Sequence, residues 1–383
     1  MFLINLKKLI LEHMKNIITN ILHIGYKKNK GGLEMKKRLT VLLVLVLTTV
    51  LLFGCSSNQT QGTEQGETAE KKQPVRITLG HPNPESHSLH KGYVKFKELL
   101  ESRTNGEFVV EIHSGGALGG DRVLAEGVDV GTIQMALNGS MQMGAYDSRF
   151  RVFDLPFIFD NNEDVDKIIN GKIGERLLDV IPGTKIRVLA YPENGFRNIS
   201  NNNRPIQTAE DLKGIKLRVM ETPVHLATFE ALGAIPTPVP FPEVYSALQA
   251  KMIDGQENAN SLIYTSKYYE VQPYLTIPGP LFLLDMTIIN EDFFQSLSKE
   301  HQDIIQQCAL EAASYQREIN RKENDEAISL LQNEGVEVTE LPDEEIQKLK
   351  EAGKVVYKEF QNEIGADFLN EVLAELGREP FNY

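Results

Sequence analysis

Asp211-Leu212-Lys213-Gly214-Ile215-Lys216-Leu217-Arg218-Val219 reads as a turn that feeds a short strand, Ile215–Val219, with an arginine near its end. Outward from it, strand-like and helix-like segments alternate, which predicts an α/β fold. Upstream, Val75–Gly80 is a β-rich run. Leu89, Tyr93, Phe96 and Leu100 follow at helical spacing, and Phe108–Ile112 returns to strand alternation. Val123, Leu124 and Val128 suggest a short helix before a strand at Ile133–Leu137. Asp164–Ile181 reads as one helix stopped by Pro182-Gly183. Ile186–Ala190 and Met286–Ile289 are further strands. Downstream, Lys299–Gln332 is polar but helical in period, with Ile304, Ile305, Ala309, Ala312, Tyr315 and Ile319 along one side. A helix so long can act as a strut. Glu344–Phe360 and Ile364–Leu376 are expected as the last two helices.

The N-terminus follows a different grammar. Lys36, Lys37 and Arg38 precede an apolar run, Leu39–Phe53, closed by Leu52-Phe53-Gly54-Cys55. A basic start, a short apolar stretch and a small residue before the cut mark a secretory signal. The run is too short to span a bilayer comfortably. A cysteine after the small residue predicts lipidation of Cys55 and removal of the signal, residues 35–54. Residues 1–34 are expected to precede the true start at Met35, because Lys30-Gly31-Gly32 is what a ribosome-binding site would encode. Residues 55–73, rich in Ser, Gln, Thr, Glu and Gly, read as a flexible tether.

Residues 1–54 hold nine of the 40 Lys and Arg but two of the 53 Asp and Glu, so the remainder carries a formal charge of −20. Such a surface repels nucleic acid. The cysteines are two, Cys55 and Cys308. With one at the anchor, no disulfide or cysteine metal cluster is available, and Cys308 reads as core. Over 300 residues suggest two lobes.

Local reading of single residues leaves alternatives open. Arg218 lies where ligands of open α/β sheets gather, and a guanidinium grips a carboxylate with two parallel hydrogen bonds. A surface ion pair explains it equally simply. Arg197 follows Gly195-Phe196, a place suited to a lobe crossing. Asn258 can orient an acid or hydroxyl, or cap the helix beginning near Ser261. Phe241, held between Pro240 and Pro242, forms a pocket wall or core. His81, His87 and His90 are better read as helix-start or pocket polarity than as a metal set. Gly115-Gly116-Ala117-Leu118-Gly119-Gly120 lacks the Gly-Lys-Ser/Thr ending of a phosphate loop and reads as a turn. No nucleophile elbow or paired Ser/His/Asp pattern suggests an enzyme.

The order of these pieces is more specific. Asn194-Gly195-Phe196-Arg197, the Arg218 segment, Pro236-Thr237-Pro238 and Asp254-Gly255-Gln256-Glu257-Asn258 together resemble the dicarboxylate-binding-protein (DctP) family, the binding proteins of tripartite ATP-independent periplasmic (TRAP) transporters. Gly119-Gly120-Asp121-Arg122, Asp129 to Met135, Phe153 to Phe159 and Tyr268 to Gln272 extend the resemblance along nearly the whole chain. It implies two α/β lobes around a cleft, a periplasmic-binding-protein-like fold with a long helix bracing both. Lobe I is expected from residues 74–195 and 284–323, lobe II from 196–283 and 324–383. It further implies that Arg218 pairs with a substrate carboxylate, that Arg197 and Asn258 contact the ligand and that Phe241 walls the pocket. The first-lobe stretches His81-Pro82-Asn83 and Asn138-Gly139-Ser140 offer neutral polar groups, with His81 and Asn138 as candidate contacts. Ala259 stands where the family commonly has proline, and Gln249-Ala250-Lys251 where many members have Gln-x-Gly. The implied function is capture of a small organic acid, four-carbon dicarboxylate, uronate or keto acid, without cofactor. Its partners would be the small and large membrane subunits of a TRAP transporter. The implied form is a monomer lipid-anchored at the outer face of the cytoplasmic membrane. A sensory protein of the same fold, signalling to a membrane kinase, is the alternative.

Overall fold

In a computed structural model of the chain, residues 73–381 are described. The leader, Cys55 and the tether up to Lys72 lie outside them. In chain order the elements are β1 (Val75–Gly80), α1 (Ser88–Arg103), β2 (Phe108–His113), α2 (Asp121–Asp129), β3 (Met135–Gly139), α3 (Ser140–Met143), α4 (Asn162–Ile169), α5 (Lys172–Leu177), β4 (Ile186–Ala190) and β5 (Glu193–Asn201). Then come β6 (Lys216–Val219), α6 (Pro223–Ala231), β7 (Ile235–Pro238), α7 (Val244–Gln249), β8 (Gly255–Asn258), α8 (Asn260–Thr265) and β9 (Tyr274–Asn290). The chain closes with α9 (Glu291–Gln295), α10 (Lys299–Asn333), β10 (Glu337–Glu340), α11 (Asp343–Ile364) and α12 (Ala366–Glu375).

The strands order as β2-β1-β3-β9-β5-β8-β6-β7, with β4 and β10 also pairing β9. Parallel β1 and β2 with antiparallel β3–β9 make one half. Parallel β7, β6 and β8 make the other, joined through antiparallel β5. The two halves meet where β9 runs beside β5. The α/β reading therefore holds, and it holds as a two-lobed architecture.

Two sequence readings needed revision. Met286–Ile289 is only the end of a 17-residue strand, β9. Gly279 lets the strand continue between Pro278 and Pro280 beside β5. A Cβ there would lie 1.8 Å from the Arg197 carbonyl oxygen. Asp164–Ile181 is two helices, α4 and α5, interrupted at Asn170-Gly171.

Helix α1 buries Leu89, Tyr93, Phe96 and Leu100, the four residues its periodicity marks. Each contributes about 1.5–3 kcal/mol of apolar burial. Gly92 lets α1 approach α10, since a Cβ there would sit 2.8 Å from Gln316 Cβ. Cys308 on α10 is fully buried in the same core. The 35-residue α10 is the expected strut, and its contacts show how it braces. Gln316, Asn320 and Asn324 follow each other at i, i+4, i+8 on one face. Gln316 Nε2 donates to Glu193 O at 2.8 Å, Asn320 Nδ2 donates to Asn194 O at 3.0 Å, and Asn324 Oδ1 accepts from Ser261 N at 3.0 Å. The helix thus holds the first two residues of β5 and the start of α8 together. Leu349 of α11 packs beside Leu212 and Leu217, whereas Val356, Tyr357 and Phe360 with Leu369 and Val372 of α12 pack beside Phe150, Val165 and Ile168. Helices α11 and α12, within residues 324–383, thus pack on two of the apolar cores.

Candidate ligand-binding site

Arg218 is the third residue of β6, and its side chain is 2% exposed. Its Nε donates to Val239 O at 2.8 Å, whereas its Nη1 is buried without a hydrogen-bond partner. It forms no ion pair among the described residues, so the surface-pair alternative is not realised. Burial lowers its pKa, with Glu257 opposing, yet a guanidinium stays charged inside proteins. A buried cation without a counter-ion is costly, and an anion would relieve that cost.

Arg197 on β5 is equally buried but differently employed. Register pairs Ile199 with Glu257, which makes Arg197 and Glu257 diagonal neighbours across β5 and β8. The guanidinium forks onto that carboxylate: Nε donates to Oε2, and Nη2 donates to Oε1 at 2.8 Å and to the Glu257 carbonyl at 2.8 Å. His225 completes the arrangement. Its Nδ1 accepts from Met220 N at 3.0 Å, which leaves the proton on Nε2, 3.4 Å from Glu257 Oε1. Burial pushes the Glu257 pKa up, but Arg197 and His225 outweigh it and hold it at about 2.

The remaining edge of Arg197 positions amides. Nη1 donates to Asn258 Oδ1 at 2.9 Å and to Asn194 Oδ1 at 3.1 Å. Because its oxygen is engaged, Asn258 presents Nδ2, which is buried and unpartnered. Helix α8 begins at Asn260 with Ala259 as its N-cap, so Asn258 is not the helix cap.

These residues border a cleft between the two halves of the sheet that encloses about 340 Å³ of empty space, the part open to solvent included. Arg218, Arg197, Asn258 and Phe241 line one wall with Met220 and Leu262. Phe241 follows Pro240 in a single 3-10 turn and also borders an adjoining pocket of about 250 Å³. The facing wall is Asn83 after β1, Asp121 at the first position of α2, and Leu137, Leu283 and Asp285 on β3 and β9. Asn83 Oδ1 and Asp285 Oδ2 are both buried and unpartnered. Burial, with Asp121 adding to it, raises the Asp285 pKa well above the usual carboxylate range. Burial also raises that of Asp121, against the pull of Arg218.

Asn138 and His81 do not border the cavity. Asn138 stands one layer behind and donates through Nδ2 to Asp121 O at 2.7 Å, fixing the start of α2. His81 stacks on Tyr93 and places Nε2 3.1 Å from His90 Nδ1. His87 turns away to Ser261 Oγ at 3.1 Å. Burial holds both His81 and His87 at a pKa of about 3. Among the described residues no group of three His, Cys, Asp or Glu converges as metal ligands. No described helix is long and apolar enough to cross a membrane.

Sequence reading missed Asp285 and gave Asp121 and Glu257 no role. A signal existed for Asp285: it interrupts the apolar run Leu281-Phe282-Leu283-Leu284 and Met286. A lone acid in such a run is seldom buried without purpose.

Comparison with known proteins places this geometry. Residues 79–363 match the family described as bacterial extracellular solute-binding protein, family 7, DctP. A 2,3-diketo-L-gulonate-binding periplasmic protein of Escherichia coli is 34% identical over 68% of this chain and 80% of its own. Among solved structures, the sugar acid binding protein of Advenella mimigardefordensis in complex with galactonate superposes with a TM-score of 0.78 at 35% identity, covering 80% of this chain and 98% of that one. A TRAP periplasmic solute-binding protein of Shewanella oneidensis with bound succinate gives 0.76 at 31% identity, covering 79% and 100%. The chain thus belongs to family 7 of the bacterial extracellular solute-binding proteins, the DctP family of TRAP transport.

Proposed function

We propose that this protein captures a small organic acid outside the cytoplasm, with Arg218 as the clamp for its carboxylate. The protein then delivers the acid to the small and large membrane subunits of a TRAP-type transporter. One observation carries this reading: Arg218 is a buried guanidinium on the cavity wall, with Nη1 unpartnered and no acid in ion-pair contact among the described residues. Relatives with bound galactonate and succinate support the ligand class. Residues 74–195 and 284–323 supply the wall with Asn83, Asp121 and Asp285, and 196–283 the wall with the arginines. Closure follows because ligand contacts from both walls exist only when the lobes meet. Asn258 Nδ2 gives the carboxylate or a neighbouring hydroxyl a second donor, and Phe241 shields the pair from water. The cycle requires no bond to be made or broken, so the acid returns unchanged. The chain acts as a monomer tethered through lipid on Cys55 to the outer face of the cytoplasmic membrane.

A thermal-shift screen of the purified chain against small acids, followed by calorimetry, tests this directly, since a ligand bound to the folded state raises its melting temperature. Stabilisation by one or more acids, lost in Arg218→Ala, is the expected result. Unchanged affinity in Arg218→Ala removes the clamp.

A further inference from the structure

The cavity holds one uncommitted positive charge. Arg197 is neutralised by the bidentate Glu257 pair, which leaves Arg218 as the single lining cation outside an ion pair among the described residues. Arg122 borders only the adjoining pocket, where it is exposed and reaches Glu126 at 4.0 Å. The wall facing Arg218 carries acids in place of a second cation: Asp285, 3% exposed, and Asp121.

Hydrogen-bond accounting points the same way. Four buried polar atoms of the lining residues lack partners: the donors Arg218 Nη1 and Asn258 Nδ2, the acceptor Asn83 Oδ1, and Asp285 Oδ2, which accepts when ionised and donates when protonated. A carboxylate satisfies the donors. Asn83 Oδ1 needs a ligand that donates, and a dicarboxylate at neutral pH has nothing to donate. Its second charge would also enter a desolvated wall beside Asp285 and Asp121 with no cation to balance it. A hydroxyl group both donates and accepts, so it suits either acid in either protonation state.

We propose that this cavity selects a polyhydroxylated monocarboxylic acid over a dicarboxylate, with Asp285 and Asn83 receiving the ligand's hydroxyl groups. The proposal rests on Arg218 as the carboxylate clamp and adds the chemistry of the opposite wall. Discrimination arises at the facing wall: an acceptor left unpaired by the wrong ligand penalises it more than a lost apolar contact would.

Calorimetry on the purified chain, with a panel of aldonates and uronates in one arm and succinate and fumarate in the other, tests it. The best hydroxy acid is expected to bind about 100-fold or more tightly than either dicarboxylate. Asp285→Asn, similar in size but unable to carry charge, is expected to weaken the hydroxy acid about tenfold or more while leaving succinate unchanged or improved. Asn83→Ala should weaken the hydroxy acid alone, and it serves where the Asp285 variant fails to fold. Succinate or fumarate binding within tenfold of the best hydroxy acid overturns the selectivity and leaves acid capture standing. Equal losses for both ligand classes in the two variants overturn the role of this wall. Failure of every acid in both arms overturns acid capture itself, and the selectivity with it.

Discussion

Arg197 and Arg218 lie 21 residues apart, each 2% exposed, on strands of the same half-sheet, yet they do opposite things. Arg197 spends its fork on Glu257 and its remaining nitrogen on two asparagine oxygens. Arg218 has one backbone acceptor and an unpartnered Nη1 at the cavity. Burial alone therefore does not make a binding arginine. What distinguishes the two is whether the fold already supplies the counter-ion. A paired arginine is scaffold, and an unpaired one is the carboxylate clamp proposed above.

The contrast can be broken most forcefully at Arg197. Arg197→Ala strands a buried carboxylate and two amide oxygens, and should cost about 3–5 kcal/mol of stability, read by denaturant unfolding. Arg218→Ala should instead leave unliganded stability level or higher, while ligand affinity falls by roughly 2–5 kcal/mol in calorimetry. If the two variants lose stability alike, the division of labour fails. Replacing the pair together, Arg197→Met with Glu257→Leu, should recover most of the stability lost by Arg197→Ala, because no lone charge is left buried; a further loss would show the pair to be worth more than its desolvation. The smallest effect is with pH. Glu257 has its pKa depressed from 4.5 to about 2, so its stabilisation is complete above 4.5 and is lost as pH falls from there towards 2. Acid unfolding of Glu257→Gln should lack that component.

The same pair of arginines shows how far the sequence reaches. Arg218, Arg197, Asn258 and Phe241 were legible because short segments carry them in a fixed order, and all four border the cavity. The distinction between the arginines was not legible. It depends on Glu257, brought beside Arg197 only by the antiparallel register of β5 and β8, 60 residues apart. Asp285 was hidden for a related reason: the strand expected from Met286 begins at Tyr274, so Asp285 fell outside the expected element. The periodic segments fared better. Helix α10 appears within a residue of its expected span and Ile186–Ala190 is reproduced as β4, because burial on one face writes itself directly into residue spacing. His81 and Asn138 mark the opposite case. Both are buried polar residues next to the site, but they support the first wall from behind.

The most direct test is a crystal structure of the chain with its captured acid. The ligand carboxylate should sit on the Arg218 guanidinium, within reach of Asn258 Nδ2, with the Arg197–Glu257 pair intact. A carboxylate bound to Arg197 with Glu257 displaced, or bound away from both arginines, would contradict the account.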